Sequence, residues 1–281
     1  MGPRRRPPRG VRHDDGMASL AGDTLRQRWI EAVVEEGERV GVLAQEMAAG
    51  LTPAPVGLDV HVPWVPAWTA RDLVGHLGTV HRWATAIVRA GHTERPGSET
   101  EQTPPEADLL DWYAAGLADL VTTLRSTPPD SPAWHMSPAA EKVASSWARR
   151  QAHELVVHRM DLESAAGVPH APVDSALAED GVDELVAIVV PRWAHTEPLI
   201  SADASCAITA TDTGREWSVS VRGGVVTVEP HRSGTEDAHV HGPATALLLR
   251  LWGRPAAAAD PAHAGVTVTG DPAAEALLRG R

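Results

Sequence analysis

The stretch S-W-A-R-R-Q-A-H-E-L-V-V-H-R-M-D-L-E-S-A-A-G, Ser146 to Gly167, reads as one helix. It is rich in Ala, Arg, Glu and Leu, contains no proline, and ends on a glycine suited to a left-handed cap. Alternating steps of four and three from Trp147 pass through Gln151, Glu154, His158, Asp161 and Ala165. The line expected to be the apolar seam is therefore polar through its middle, and a buried polar row requires partners.

Glu154 and His158 are four residues apart, so they stand about 40° apart around the helix axis and about one turn apart along it. That spacing lets a carboxylate and an imidazole share one metal ion. Zinc and similar borderline metals accept both donors, and three protein ligands with one open position is the catalytic pattern. A third ligand must come from another element. The run His153 to His158 looks like the zincin H-E-x-x-H but is one residue longer, which separates its two histidines onto different faces and argues against a metalloprotease. The competing reading of Glu154 and His158 is a plain surface contact between residues one turn apart.

At 281 residues the chain has room for two domains of common size. Its net charge of −12, with no basic stripe, argues against a nucleic-acid partner. A single cysteine, Cys206, rules out an internal disulfide framework and fits the reducing cytoplasm. Cys206 falls in an expected strand and reads as a small buried hydrophobe. No segment approaches the ~18 uninterrupted apolar residues of a membrane span.

Taken in order, residues 1–19 are expected to be a disordered extension. They hold the run Arg4 to Gly10 and no apolar core of a secretory signal, with Met17 an alternative start. Asp23 is placed to cap a helix running to about Gly50. Thr69-Ala70-Arg71-Asp72 spells a capping box, flanked by a Trp68 and Leu73 staple. The helix it opens carries the apolar stripe Leu73, Leu77, Val80, Ala84 and Ile87 and ends near Gly91. His76 falls on its buried side and His81 on its flank. A third helix is expected over Pro105 to Arg125. Four helices in residues 20–168 predict a four-helix bundle, where metal sites are built from inward side chains.

The pattern then changes. Asp174 or Ser175 opens a fifth helix expected to stop before Pro191. Alternating runs around Cys206, Trp217 and Val226 read as strands joined by turns at Asp212-Thr213-Gly214 and Gly223-Gly224. A strand from Ala238 to His241, a helix from Ala244 to Trp252, a strand from Val266 to Thr269 and a short helix after Asp271 follow. Residues 169–281 are thus expected to form a small α+β domain, and the whole chain belongs to the α+β class.

The segments W-T-A-R-D-L-V-G-H-L-G-T-V-H-R-W-A around His76 and R-R-Q-A-H-E-L-V-V-H-R-M-D-L-E-S-A-A-G around Glu154 and His158 resemble the mycothiol-dependent maleylpyruvate isomerase family. The tail V-H-G-P-A-T-A-L-L-L-R-L-W-G-R-P with V-T-V-T-G-D-P-A-A-E-A-L-L is similar to that family's carboxy-terminal domain. The resemblance covers nearly everything from about residue 20. It implies a DinB-like four-helix bundle, a carboxy-terminal domain related to sterol-carrier-type folds, and a divalent metal, usually zinc, on His76, Glu154 and His158.

It also implies mycothiol as cosubstrate and a small electrophile as substrate, with either S-transfer or cis–trans isomerisation as outcome. On the same helical face, Gln151 and Asp161 are candidates to orient the ligands, with a purely structural role equally open. Arg82, Arg159 and Arg222 are candidate cations for an acidic substrate. The alternatives are a noncatalytic carrier, in which the metal is structural and the α+β domain holds an apolar ligand, and a helical scaffold without metal. The residues do not specify an oligomeric state.

Overall fold

The computed structural model describes residues 15–97, 107–196, 203–254, 264–276 and 278. Its first half is four helices: α1 (Asp15–Ala48), α2 (Ala70–Ala90), α3 (Leu109–Ser126) and α4 (Ala144–Ala166). Helix α1 packs on α4 and α3, and α2 packs on α3 and α4, which leaves α1 diagonal to α2. A small antiparallel pair, β1 (His61–Val62) and β2 (Val65–Thr69), leads into α2.

The start of α2 has the expected box. The Thr69 side chain accepts from the Asp72 backbone, and the Asp72 carboxylate accepts from the Thr69 N–H at 2.8 Å. Two orphan donors of the first turn are satisfied reciprocally. Helix α4 ends at Gly167, whose φ of 70° is the left-handed cap that glycine adopts without steric cost.

Several expectations need correction. Residues 15–19, assigned to a disordered extension, lie within α1, and Asp23 is inside that helix instead of capping it. Met17, Ala18, Leu20 and Ala21 are good helix formers and extend it upstream. Residues 1–14 lie outside the described residues. The third helix begins at Leu109, after Asp108 in a left-handed conformation with φ of 59°. Its expected start at Pro105 falls outside the described residues.

His81 is fully buried, whereas His76 lies at the edge of the buried arc with its side chain 31% exposed. Because α2 is clasped by α3 on one side and α4 on the other, its buried arc is wider than a single stripe and takes in the flank where His81 sits. No other described side chain pairs with either His81 nitrogen.

The fifth helix does not stop before Pro191. Helix α5 (Ser175–Glu184), capped by Asp174, passes through a π turn over Leu185–Val189 into α6 (Val190–Thr196). A proline ring clashes with the carbonyl four residues back and offers no N–H. The π turn just before Pro191 changes the hydrogen-bond register there, and the helix continues with a bulge.

The second half holds a five-stranded sheet in the order β5 (Val225–Glu229), β4 (Glu216–Arg222), β3 (Ala204–Ala210), β6 (Ala238–Gly242), β7 (Thr267–Gly270). Only β3 and β6 are parallel. The β4–β5 turn uses Gly223 and Gly224 at φ of 57° and 79°, the pair of positive values a two-residue hairpin requires.

Cys206, Ile208, Trp217, Val219 and Val240 face a core closed by α5, α7 (Ala244–Leu251) and α8 (Pro272–Ala276). Val156 and Val157 of α4 belong to that second core, so α4 joins the two halves. Asp180 of α5 ties them further, accepting from Trp29 Nε1 at 2.7 Å and Arg149 Nε at 3.1 Å. No described helix is long and apolar enough to cross a membrane.

Burial disfavours the charged form of two histidines, depressing His81 to about 3 and His135 to about 4. In the unfolded chain both protonate near 6.5, so below that pH the unfolded state binds more protons and gains relative to the fold. Stability measured by urea unfolding is expected to fall as pH drops from about 6.5 towards 4, by up to ~1.4 kcal/mol per pH unit for each histidine. His81→Leu should flatten this slope, and a parent with constant stability over the window would contradict it.

Candidate metal centre

Helices α2 and α4 bring His76, Glu154 and His158 together. One nitrogen or oxygen from each lies within 4.8 Å of the others. His76 Nε2 is 2.9 Å and His158 Nε2 3.4 Å from Glu154 Oε1. The i,i+4 spacing on α4 supplies two of the three groups, and the capped start of α2 fixes the height of the third.

Each group is held by further partners. Arg150, one turn before Glu154, bonds Glu154 Oε2 and also Glu184 at the end of α5. Burial works against the charge on Glu154, but the Arg150 guanidinium and the hydrogen bonds from both histidines hold its carboxyl well below the usual range. His158 Nδ1 lies 3.0 Å from Asp161 Oδ2. Asp161 in turn accepts from Arg254 at 3.1 and 2.7 Å, an arginine just beyond α7. Burial disfavours protonated His158, yet the hydrogen bonds to Asp161 and Glu154 outweigh it and push His158 up to about 9.

That surplus of negative field at an imidazole nitrogen is what a cation would meet. Two imidazoles and a carboxylate also match the donors that zinc and neighbouring divalent ions accept. The residues therefore fit a metal.

The cluster opens onto a cavity of about 360 Å³ between the two halves of the chain. Trp68 lies against both imidazoles, its ring centroid 4.7 Å from that of His76 and 5.9 Å from that of His158. Gln151 forms part of the cavity wall and is fully buried, with neither amide atom partnered among the described residues. His153 turns away from the cluster, its Nε2 2.7 Å from Asp180.

The three arginines proposed for an acidic substrate are elsewhere, and none lines the cavity. Arg82 stacks on Trp112 at 3.7 Å and donates to the Trp112 carbonyl, bracing α2 against α3. Arg159 is fully buried between Glu36 and Glu163 inside the four helices. Arg222 is exposed at the end of β4. Among the described residues, the arginines that line the cavity are Arg150, Arg192 and Arg254. Arg150 was legible as an i,i+4 partner of Glu154; Arg192 and Arg254 are distant in sequence and carried no local signal.

Residues 41–163 match the family described as the mycothiol maleylpyruvate isomerase N-terminal domain, and residues 176–276 match the MDMPI C-terminal domain. The chain belongs to the mycothiol-dependent maleylpyruvate isomerase family. A crystal structure described as the mycothiol-dependent maleylpyruvate isomerase is similar over 88% of this chain and 94% of its own, at 14% identity and a TM-score of 0.56. A histidine-to-alanine mutant of that enzyme is similar over the same shares, at 13% identity and a TM-score of 0.58. At such identity the likeness is one of fold. No curated protein sequence matches the chain. Both parts of the cluster, His76 and the Glu154/His158 pair, lie within the stretch matched to the family's N-terminal domain.

Partners behind metal-binding histidines typically contribute about 10- to 100-fold in affinity. Asp161→Asn is expected to weaken zinc binding by about that factor while leaving the helical circular dichroism unchanged. Unaltered affinity in a competition titration would show that Asp161 serves the packing alone.

Proposed function

We propose that the chain is a thiol-dependent metalloenzyme that uses mycothiol for S-transfer to, or cis–trans isomerisation of, a small electrophilic substrate. The observation that carries this reading is the convergence of His76, Glu154 and His158 on the wall of a cavity of small-molecule size. Membership of the mycothiol-dependent maleylpyruvate isomerase family supports the choice of thiol. The carrier alternative is disfavoured because the cavity adjoins these three residues instead of lying within the carboxy-terminal half.

His76, Glu154 and His158 would hold the ion, zinc by donor type, and three protein ligands leave room for an exogenous one. When bound, a divalent ion stabilises a thiolate over its thiol and so supplies a nucleophile near neutral pH. Asp161 accepts the Nδ1 proton of His158, which leaves Nε2, on the side of Glu154 and His76, as the nitrogen that would give up its proton and hold the ion. Arg150 balances the charge of Glu154. Trp68 covers the two imidazoles and limits water on that side.

The chain need not provide a nucleophile of its own. Cys206 is buried in the sheet, and burial pushes its thiol up to about 12. A cytoplasmic location belongs to the same proposal, resting on the single cysteine.

Elemental analysis of untagged protein is expected to find about one zinc per chain, lost in both His158→Ala and Glu154→Ala. Metal-loaded parent should accelerate mycothiol consumption by an electrophile panel, and chelator-stripped protein should not. A parent that neither carries zinc nor takes it up when added would refute the proposal.

A further inference from the structure

The cavity has walls that thiol activation does not require. Trp68, Trp83, Trp193 and Trp252 all line it, together with Ile188 and Val189. Among them, Trp193 and Trp252 meet edge to face, with centroids 5.8 Å apart and planes at 90°. Trp252 also lies over Arg150, whose guanidinium carbon is 5.4 Å from the ring centroid.

Ile188, Val189 and Trp193 reach the cavity from the π turn and the start of α6, so the bulge before Pro191 shapes this wall. Tryptophan offers a ligand a large, flat apolar face with few rotatable bonds, and aromatic rings prefer stacked or edge-on partners of the same kind.

Two polar groups in the wall are unsatisfied. Trp252 Nε1 is buried without a hydrogen-bond partner among the described residues, as are both amide atoms of Gln151. Leaving a buried donor unpaired costs about 1–3 kcal/mol, which a ligand acceptor would recover. The cavity's guanidiniums are less available: Arg150 is paired with Glu154 and Glu184, Arg254 with Asp161, and Arg192 also engages a neighbour.

We propose that this cavity selects a planar aromatic electrophile bearing a neutral hydrogen-bond acceptor, such as a ring carbonyl or nitro oxygen. Trp193 supplies the stacking face, and the Trp252 N–H and the Gln151 amide, shielded in the conformation described, meet the acceptor after a small side-chain shift on binding. That the occupant is the electrophile rests on the thiol-dependent reading above; the preference for a flat ring rests on the cavity itself.

The test uses zinc-loaded full-length protein and calorimetric titration with two unreactive probes: naphthalene-2-carboxamide, which is planar, and cyclohexanecarboxamide, its saturated counterpart. The planar probe should bind about tenfold more tightly, the scale of one or two aromatic contacts. Trp193→Leu and Trp252→Leu should each remove most of that preference, and Trp252→Phe, which keeps a ring but loses the N–H, should remove part of it. Zinc content and circular dichroism serve as controls for folding.

Equal affinity for the two probes, no binding of either, or a preference that survives both leucine variants would overturn the proposal. Mycothiol turnover with planar and saturated electrophiles separates the two readings. Turnover that favours the saturated electrophiles overturns the aromatic selectivity alone. No turnover of any electrophile, with the ring preference intact, overturns the thiol-dependent reading alone.

Discussion

Glu154 is a carboxylate taken largely out of water, and its arrangement depends on keeping its charge. An unpaired buried carboxylate would be too costly to keep ionised, so it must be paired or coordinate a cation. Arg150 and the two histidines around Glu154 answer that demand within α2 and α4. The next layer of partners comes from the other half of the chain: Glu184 of α5 on Arg150, and Arg254 beyond α7 on Asp161 behind His158. The cluster is thus braced from both halves, which is why it lies where their two cores meet.

Helix α4 is the element both halves share. Its Trp147 and Leu155 belong to the core of the four helices, while Val156 and Val157 belong to the core under the sheet. A helix buried on nearly all sides cannot be amphipathic in the ordinary sense, and its polar row is tolerated only because each charged group on it meets a partner of opposite sign. The exception on that row is Gln151, whose amide is left unmet at the cavity wall. Unsatisfied buried groups of this kind concentrate at functional sites.

The π turn over Leu185–Val189 shows local preference and tertiary packing in conflict. Proline taken alone predicts a helix end before residue 191. Leu185, Val186 and Val189 are anchored in the second core, and stopping the helix there would withdraw them from it. The bulge reconciles the two demands and turns Ile188 and Trp193 towards the cavity.

Much of this protein is written in its local sequence. The Thr69–Asp72 capping box, the glycine cap at Gly167, the Gly223-Gly224 hairpin and the one-turn spacing of Glu154 and His158 all follow from interactions within a few residues, and all are present as read. Tertiary structure decided what those local rules do not encode. Which histidine of α2 is sealed in the core depends on that helix being clasped by two neighbours, so His81 is buried and His76 reaches Glu154. Which arginines line the cavity depends on chain segments far apart in sequence, so Arg192 and Arg254 reach it while Arg82, Arg159 and Arg222 do not. The division has one physical cause: capping, turn geometry and helical spacing act over a single turn, whereas burial and charge pairing are settled only when distant elements pack.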